Sequence, residues 1–401
     1  MKRFPEQRSP RAGFSMIEVL VSLAVMVVVL GGLLAILQVN SRIAKAQINV
    51  SEMQQALRVV QADLVGHVRM AGRGGLPRWR PASGAYAGMP LPEGPAVTVE
   101  NNLTGEELIA GNAETAIVDG SDVLTVRGVF NTPVYQINPA QDGDVEGSNV
   151  SGEGSVVVRE TSPTGVPQDL GPLAALADDF RPEALLLVSA GSDEVQAVVE
   201  LESIVDNTDS ITLNFNLSGG NADEYLKLSP GGQFPEGLRT VAMVGILEEY
   251  RYYARDVDPA PRLSRARVYP GTDQAYAGNA ANLHVDIADN VLDLQVALGI
   301  DRNGDEIVVD NDDDADEWLF NAPGDSPPDP AAWNGPAAGL YYLRITSLAR
   351  TDRIDPDHVS APIQAIEDHE YNEPATPGVD DRLDRSYRRR VLETVVDLRN
   401  L

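Results

Sequence analysis

The sequence predicts an α+β protein: a long N-terminal α-helix, membrane-spanning in its first half, packed on a mainly antiparallel β-sheet body. Three observations carry that expectation. Residues 15–37 run for 23 positions with one charge, Glu18. The apolar residues after them recur at helical spacing as far as residue 71. Beyond residue 72 the pattern changes to short β-branched runs separated by clusters of Gly, Pro, Asn and Asp, the mark of strands and turns.

As a helix, the 23-residue run is about 35 Å long, enough to cross a bilayer core. Lys2, Arg3, Arg8 and Arg11 before it outweigh Arg42 and Lys45 after it. That asymmetry predicts a cytoplasmic N-terminus, with the large body on the other side of the membrane. An ordinary signal peptide would show a small-residue cleavage site after the run, but Leu37-Gln38-Val39-Asn40 stands there, and the small pair Ala12-Gly13 precedes the run instead. Glu18 lies one turn into the helix. A carboxylate at that depth costs about 2 kcal/mol or more, so it calls for a specific partner. Gly31-Gly32, at about 1 kcal/mol each relative to alanine, reads either as a weak point mid-helix or as small residues that let helices approach closely.

From Val39 the apolar positions are Val39, Ile43, Ala46, Val50, Met53, Leu57, Val60, Leu64, Val68 and Ala71. Gaps of three and four make this an amphipathic continuation of the same helix. It lacks a regular leucine position, so packing on the body's sheet is favoured over a coiled coil. Gly72-Arg73-Gly74-Gly75-Leu76-Pro77 ends it. Strands are expected at 122–127, 155–159, 184–189, 195–204, 210–216, 238–255, 262–269, 291–300, 340–349 and 387–398, with loops at 72–95 and at the proline-rich 323–339. No βαβ rhythm and no internal repeat is visible, so the sheet should be mainly antiparallel.

The chain has 31 Lys and Arg against 60 Asp and Glu, a net charge of −29. Residues 1–13 carry +3, 14–38 carry −1 and 39–80 carry +5, which leaves −36 on residues 81–401. Such a body does not neutralise phosphates, and nucleic acid is not an expected partner. There is no cysteine, so disulfides, thiolate nucleophiles and zinc-thiolate sites are excluded. No Gly-x-Ser-x-Gly, phosphate-binding loop or His-Glu-x-x-His motif occurs, and no catalysis is expected. His369-Glu370-Tyr371-Asn372-Glu373 comes nearest but lacks the second histidine, so His369 reads as solvated; His67, His284 and His358 stand alone and receive no role.

The acidic stretch 301–317 has hard-cation character. Asp301, Asn303 and Asp305 stand at i, i+2, i+4, with Asp310, Asp312 and Asp314 further on, and such oxygens are what Ca²⁺ takes. An EF-hand needs glycine sixth and glutamate twelfth, where this chain has Glu306 and Asp312. Two readings stand, a solvated acidic turn and an open Ca²⁺ site of a related kind.

Gly13-Phe14-Ser15-Met16-Ile17-Glu18-Val19-Leu20-Val21-Ser22, after its short basic leader, resembles the type IV prepilin motif. The resemblance implies that a prepilin peptidase cuts between Gly13 and Phe14 and methylates the new Phe14 amine. It also implies that Glu18 pairs with a Phe14 amine when subunits pack. Gly120-Ser121-Asp122-Val123-Leu124-Thr125-Val126-Arg127, the run 291–296 leading into Asp301-Arg302-Asn303-Gly304-Asp305, the strand 342–350 and the ending 387–400 resemble the PilW family of minor pilins. The loop after the helix, Gly72-Arg73-Gly74-Gly75, lacks the cysteines that many such proteins carry there.

The resemblance implies four segments: a cytoplasmic leader 1–13, a transmembrane and filament-core helix 14–38, its amphipathic continuation 39–71 and an acidic β-rich exterior domain 72–401. It implies a low-abundance subunit that initiates or caps a type IV pilus. Its partners would be other pilins and minor pilins, the prepilin peptidase, the inner-membrane assembly platform and the lipid bilayer. The place would be the inner membrane, with the body facing the periplasm, and then the pilus on the cell surface. A minor pseudopilin of a type II secretion system fits the same architecture. A membrane-anchored binding protein fits less well, because a plain anchor has no use for Glu18.

Overall fold

The computed structural model of the chain describes residues 15–77, 96–178, 180–190, 195–218, 220–229, 234–258, 260–276, 284–310, 316–323, 339–355, 357–371 and 383–398. The leader 1–13 and nearly all of the two expected loops lie outside these residues. The chain forms two compact units, Met1–Glu52 and Met53–Leu401.

Helix α1 (Met16–Met70) is helical through Gly31 and Gly32. Residues 15–45, in the first unit, are exposed throughout. In the second unit Met53, Leu57, Val60, Leu64 and Val68 are buried, the spacing that the sequence predicts for the sheet-facing stripe. The helix stops because Gly72, Gly74 and Gly75 all take positive φ, which side-chain-bearing residues avoid. A Cβ at Gly74 would also come within 2.7 Å of Val129 Cγ2.

The second unit adds β1 (Val97–Leu103), β2 (Ser121–Gly128), β3 (Tyr135–Gln136), α2 (Ser148–Ser151), β4 (Glu153–Arg159), α3 (Gly171–Asp178), β5 (Ala184–Ser189), β6 (Gln196–Asp206), β7 (Ser210–Asn216) and α4 (Ala222–Leu226). There follow β8 (Val241–Arg255), β9 (Arg262–Val268), β10 (His284–Asp289), β11 (Val291–Asp301), β12 (Trp318–Leu319), β13 (Gly339–Arg350), β14 (Ala365–Ile366), β15 (His369–Glu370) and β16 (Arg389–Asp397). One sheet runs β1-β2-β8-β5-β6-β7-β4, with β3 and the β9–β10 pair joined through β8. A second runs β12-β11-β13-β16, and β14–β15 form a hairpin. Each of these pairings is antiparallel, as the absence of a βαβ rhythm requires.

Strand β8 organises the larger sheet. Residues 241–247 pair with β5, whereas 248–255 lie between β2 and β9. Two cores result. Val60, Leu64 and Val68 of α1 share one with Leu124, Val126, Tyr252, Leu343 and Val396. The other is built by β3–β7, α3 and the first half of β8, around Val156, Leu187, Leu213, Phe215 and Ile246. Strand β5 serves both: Leu186 enters the first core, Leu185 and Leu187 the second. Its uninterrupted Leu run therefore reflects burial on both faces. Residues 130–240, unread in the sequence beyond their strands, form most of this second core.

All ten expected strands are present, with ends shifted by at most about three residues. The sequence reading missed β1 and β10, whose polar residues interrupt the hydrophobic pattern, and the two-residue strands β3, β12, β14 and β15. In β10, Asp286 accepts from Arg255 Nη2 at 2.8 Å, Arg262 Nη1 at 2.6 Å and Ser264 Oγ at 2.7 Å. Burial pushes this carboxyl up, but the three donors together bring it down from 3.8 to about 2. A depressed carboxyl pKa contributes stability above its unfolded value, and the contribution vanishes as pH falls through the folded value. Asp286→Asn is thus expected to cost about 1–2 kcal/mol at pH 7. The gap from the parent should narrow between pH 4 and 2 in urea denaturation. A gap that stays constant over that range would mean that charge plays no part.

Candidate functional site

Gly13 and Phe14 lie outside the described residues, so the described part of the candidate site begins at Ser15. The helix start there has a reciprocal cap. The Ser15 N–H donates to Glu18 Oε2 at 3.0 Å, and the Ile17 N–H donates to Ser15 Oγ at 3.3 Å. This is the Ser-x-x-Glu capping box, in which a serine and a glutamate each satisfy a helix-end donor. Glu18 thereby gains a partner within its own chain, one that the Ser15–Glu18 spacing encodes and the sequence reading overlooked. Downstream, large apolar side chains stand open, among them Met16 at 85%, Val28 at 74% and Leu34 at 64% exposure. The helix is long and apolar enough to cross a membrane.

Where α1 meets the sheet, polar contacts flank the buried stripe. The Tyr252 hydroxyl donates to Asp63 Oδ2 at 2.6 Å, and Arg265 Nη1 reaches both Asp63 oxygens at 3.0 and 3.1 Å. His67 Nδ1 lies 2.8 Å from the same hydroxyl, with its ring 5.2–5.4 Å from those of Tyr250 and Phe130. His67, given no role from sequence, helps to seat the helix. Burial first, and then Asp63, push the Tyr252 hydroxyl well above its ordinary pKa, so it stays a donor.

The acidic turn is knit by its own backbone. Asp301, fully buried, accepts from the N–H groups of Asn303, Gly304 and Glu306 at 3.2, 2.7 and 2.9 Å. Asn303 Oδ1 accepts from the Asp305 N–H and Asp305 Oδ1 from the Ile307 N–H. Glu317, the last residue of the stretch and not offered as a ligand, takes the N–H groups of Arg302 and Val309. Of the six residues offered to Ca²⁺, the structure brings Asp301, Asn303 and Asp305 together. Asp310 stands 3.5 Å from Arg344 Nη1, while Asp312, like Asp314, lies outside the described residues. Among the described residues, no group of three or more His, Asp and Glu could hold a metal ion.

His369 is not the solvated side chain that its acidic neighbours imply. Its Nδ1 lies 2.9 Å from Asp293 Oδ2, and its ring stacks on Tyr371 with centroids 4.4 Å apart. No local signal announces this contact, since the partners are 76 residues apart.

Comparison with known families adds two matches. Residues 8–34 match the prokaryotic N-terminal methylation motif, and residues 251–400 match type IV pilus-assembly protein W. The second match runs from the end of β8 through β16 and takes in the whole four-stranded sheet. No curated protein and no solved structure matches the chain.

Proposed function

We propose that this chain, whose residues 8–34 match the N-terminal methylation motif and whose residues 251–400 match type IV pilus-assembly protein W, is a PilW-like minor pilin that helps to initiate or cap a type IV pilus. Prepilin peptidase removes residues 1–13 and methylates the Phe14 amine. The helix holds the protein in the inner membrane with its N-terminus cytoplasmic, until the assembly platform passes it among other pilins. The protein performs no catalysis of its own. The observation that carries this reading is the Ser15–Glu18 box at the head of an apolar helix whose first thirty or so residues are exposed among the described residues. Surface of that extent requires lipid or other helices. The match of residues 251–400 to a pilus-assembly family favours a pilus over a secretion pseudopilus.

The processing test is intact-mass analysis of the membrane form. A mature chain starting at Phe14 and carrying one added methyl group is expected, and a terminus near residue 40 would overturn the reading. A second test separates the two uses of Glu18. Glu18→Gln keeps an oxygen for the Ser15 N–H but removes the charge that a Phe14 ammonium on a neighbour would need, whereas Glu18→Ala removes both. Both variants are expected to be cleaved normally and to drop about tenfold in sheared filaments, since one lost charge pair is worth about 1.4 kcal/mol or more in a low-dielectric core. Wild-type incorporation of Glu18→Gln would reduce Glu18 to a helix cap.

A further inference from the structure

Sheet edges are templates for a further strand, and most of those in this protein are blunted. The pairing of β1 with β2 shifts register between Glu100 and Leu103, and that of β10 with β9 between Asp286 and Ala288. Strands β3 and β12 are two residues long. Along β4, the Val157 N–H already donates to the Asp142 carbonyl at 2.9 Å, and Arg159 reaches the Asp142 carboxylate at 2.7 Å. Strand β16 differs. It pairs with β13 residue for residue from Arg389 to Asp397 without a bulge, and it contains no Pro, Gly or Lys. Among the described residues, no strand pairs with its other side.

The ladder fixes what that side presents. The Leu398 N–H donates to the Tyr341 carbonyl at 2.7 Å and the Thr351 N–H to the Arg388 carbonyl at 2.9 Å. Hydrogen-bonded pairs alternate in an antiparallel ladder. The even-numbered residues of β16 therefore bond to β13, and the N–H and C=O groups of Val391, Glu393 and Val395 point out of the sheet edge. Their side chains share the face away from α1. Leu392 and Thr394 line the contact with Val60 and Leu64 of the helix, whereas Val391 is 42% and Val395 50% exposed, with exposed Glu393 between them. Glu393 makes no ion pair among the described residues, and Arg344, the guanidinium that feels its charge, is already held by Glu367 at 2.7 Å.

An open row of backbone donors and acceptors, two bare valines and an unmatched carboxylate together define their complement, an extended segment reading apolar-x-basic-x-apolar. Its backbone supplies affinity and its alternate side chains supply specificity. Apolar residues opposite Val391 and Val395, with a Lys or Arg opposite Glu393, are the favourable cross-strand pairs of such a ladder. The charge of −36 on residues 81–401 draws a basic segment rather than an acidic one. We propose that β16 receives an antiparallel strand of this pattern from a neighbouring pilus subunit, which extends the four-stranded sheet. The subunit as source rests on the pilin reading above, whereas strand addition rests on the edge alone.

The test uses the purified full chain, ¹⁵N-labelled in detergent micelles, and the peptide acetyl-TVTKTVT-amide. With the peptide at about ten times its Kd, hydrogen exchange at the Val391, Glu393 and Val395 amides is expected to slow about tenfold. The Leu392 and Thr394 amides, already bonded to β13, should change little. N-methylation of the peptide's Val and Lys nitrogens, which face β16 in this pairing, should abolish the effect, and N-methylation of the intervening Thr nitrogens should not. Glu393→Lys should reverse the preference, so that acetyl-TVTETVT-amide protects the edge and the lysine peptide does not. No protection in a folded chain, equal effects of the two methylation patterns, or an unreversed preference in Glu393→Lys would overturn the proposal. The source is read separately. A photo-crosslinking residue at position 395 in cells is expected to join the chain to a subunit recovered in sheared pili, and adducts only with proteins absent from them would overturn that source. Because peptide binding needs no filament, it can fail or succeed independently of pilus assembly.

Discussion

Glu249→Ala is expected to destabilise the protein by about 3–5 kcal/mol, a large part of the 5–15 kcal/mol that holds a typical domain together. The carboxylate is fully buried in the half of β8 that lies between β2 and β9. It takes Arg127 Nε at 2.5 Å, Arg251 Nε at 2.8 Å and the Gly271 N–H at 2.8 Å. Burial pushes its pKa up, but Arg127 and Arg251 outweigh burial and hold it below the ordinary value. The stabilisation is thus present at neutral pH and lost only as pH falls below the usual carboxylate range. Removing Glu249 leaves the two nearly buried guanidiniums of Arg127 and Arg251 facing each other without their shared counter-charge. Glu249→Gln keeps one acceptor and should cost about 2 kcal/mol less. Urea denaturation of the full chain in micelles measures both variants, and an alanine cost below about 1 kcal/mol would contradict the account.

Asp301→Ala is expected to cost about 2–3 kcal/mol, because it strips the acceptor from three N–H groups at once. Exposed Asp305 holds one such group, and Asp305→Ala should cost less than about 1 kcal/mol. Both costs are expected to be the same in millimolar Ca²⁺ and in chelator, since the turn is closed by its own backbone. A Ca²⁺-specific rise in melting temperature that disappears in Asp301→Asn with Asp305→Asn would instead make the turn the Ca²⁺ loop that its spacing offers. Mg²⁺ at the same ionic strength is the control for screening.

Glu249 shows why some of this was illegible beforehand. Glu248-Glu249 reads as a polar interruption of a strand, yet both side chains are buried because β2 and β9 bring Arg127 and Arg267 alongside. The burial depends on partners more than 15 residues away in sequence. Strand β1 hides for a related reason: Glu100-Asn101-Asn102 breaks its alternation, and Asn102 takes a φ of +49° at the irregularity in its pairing with β2. His369, Asp293 and Asp122 come together only when the β14–β15 hairpin, β11 and β2 have found their places.

What the sequence determined by itself was what repeats locally. The apolar run from Ser15 to Leu37, the stripe from Met53 to Val68, the glycines that end α1 and the ten strand segments each follow from spacing within a few residues, because backbone geometry turns period into element. The Gly13–Glu18 motif and the PilW-like segments beyond residue 251 were legible for the same reason. The order of the sheets, the double role of β5, the inward turn of Glu249 and the contact of His369 with Asp293 were decided by the tertiary structure alone. Each depends on which strands become neighbours, and a charged residue is buried only where a remote partner offsets the loss of its water.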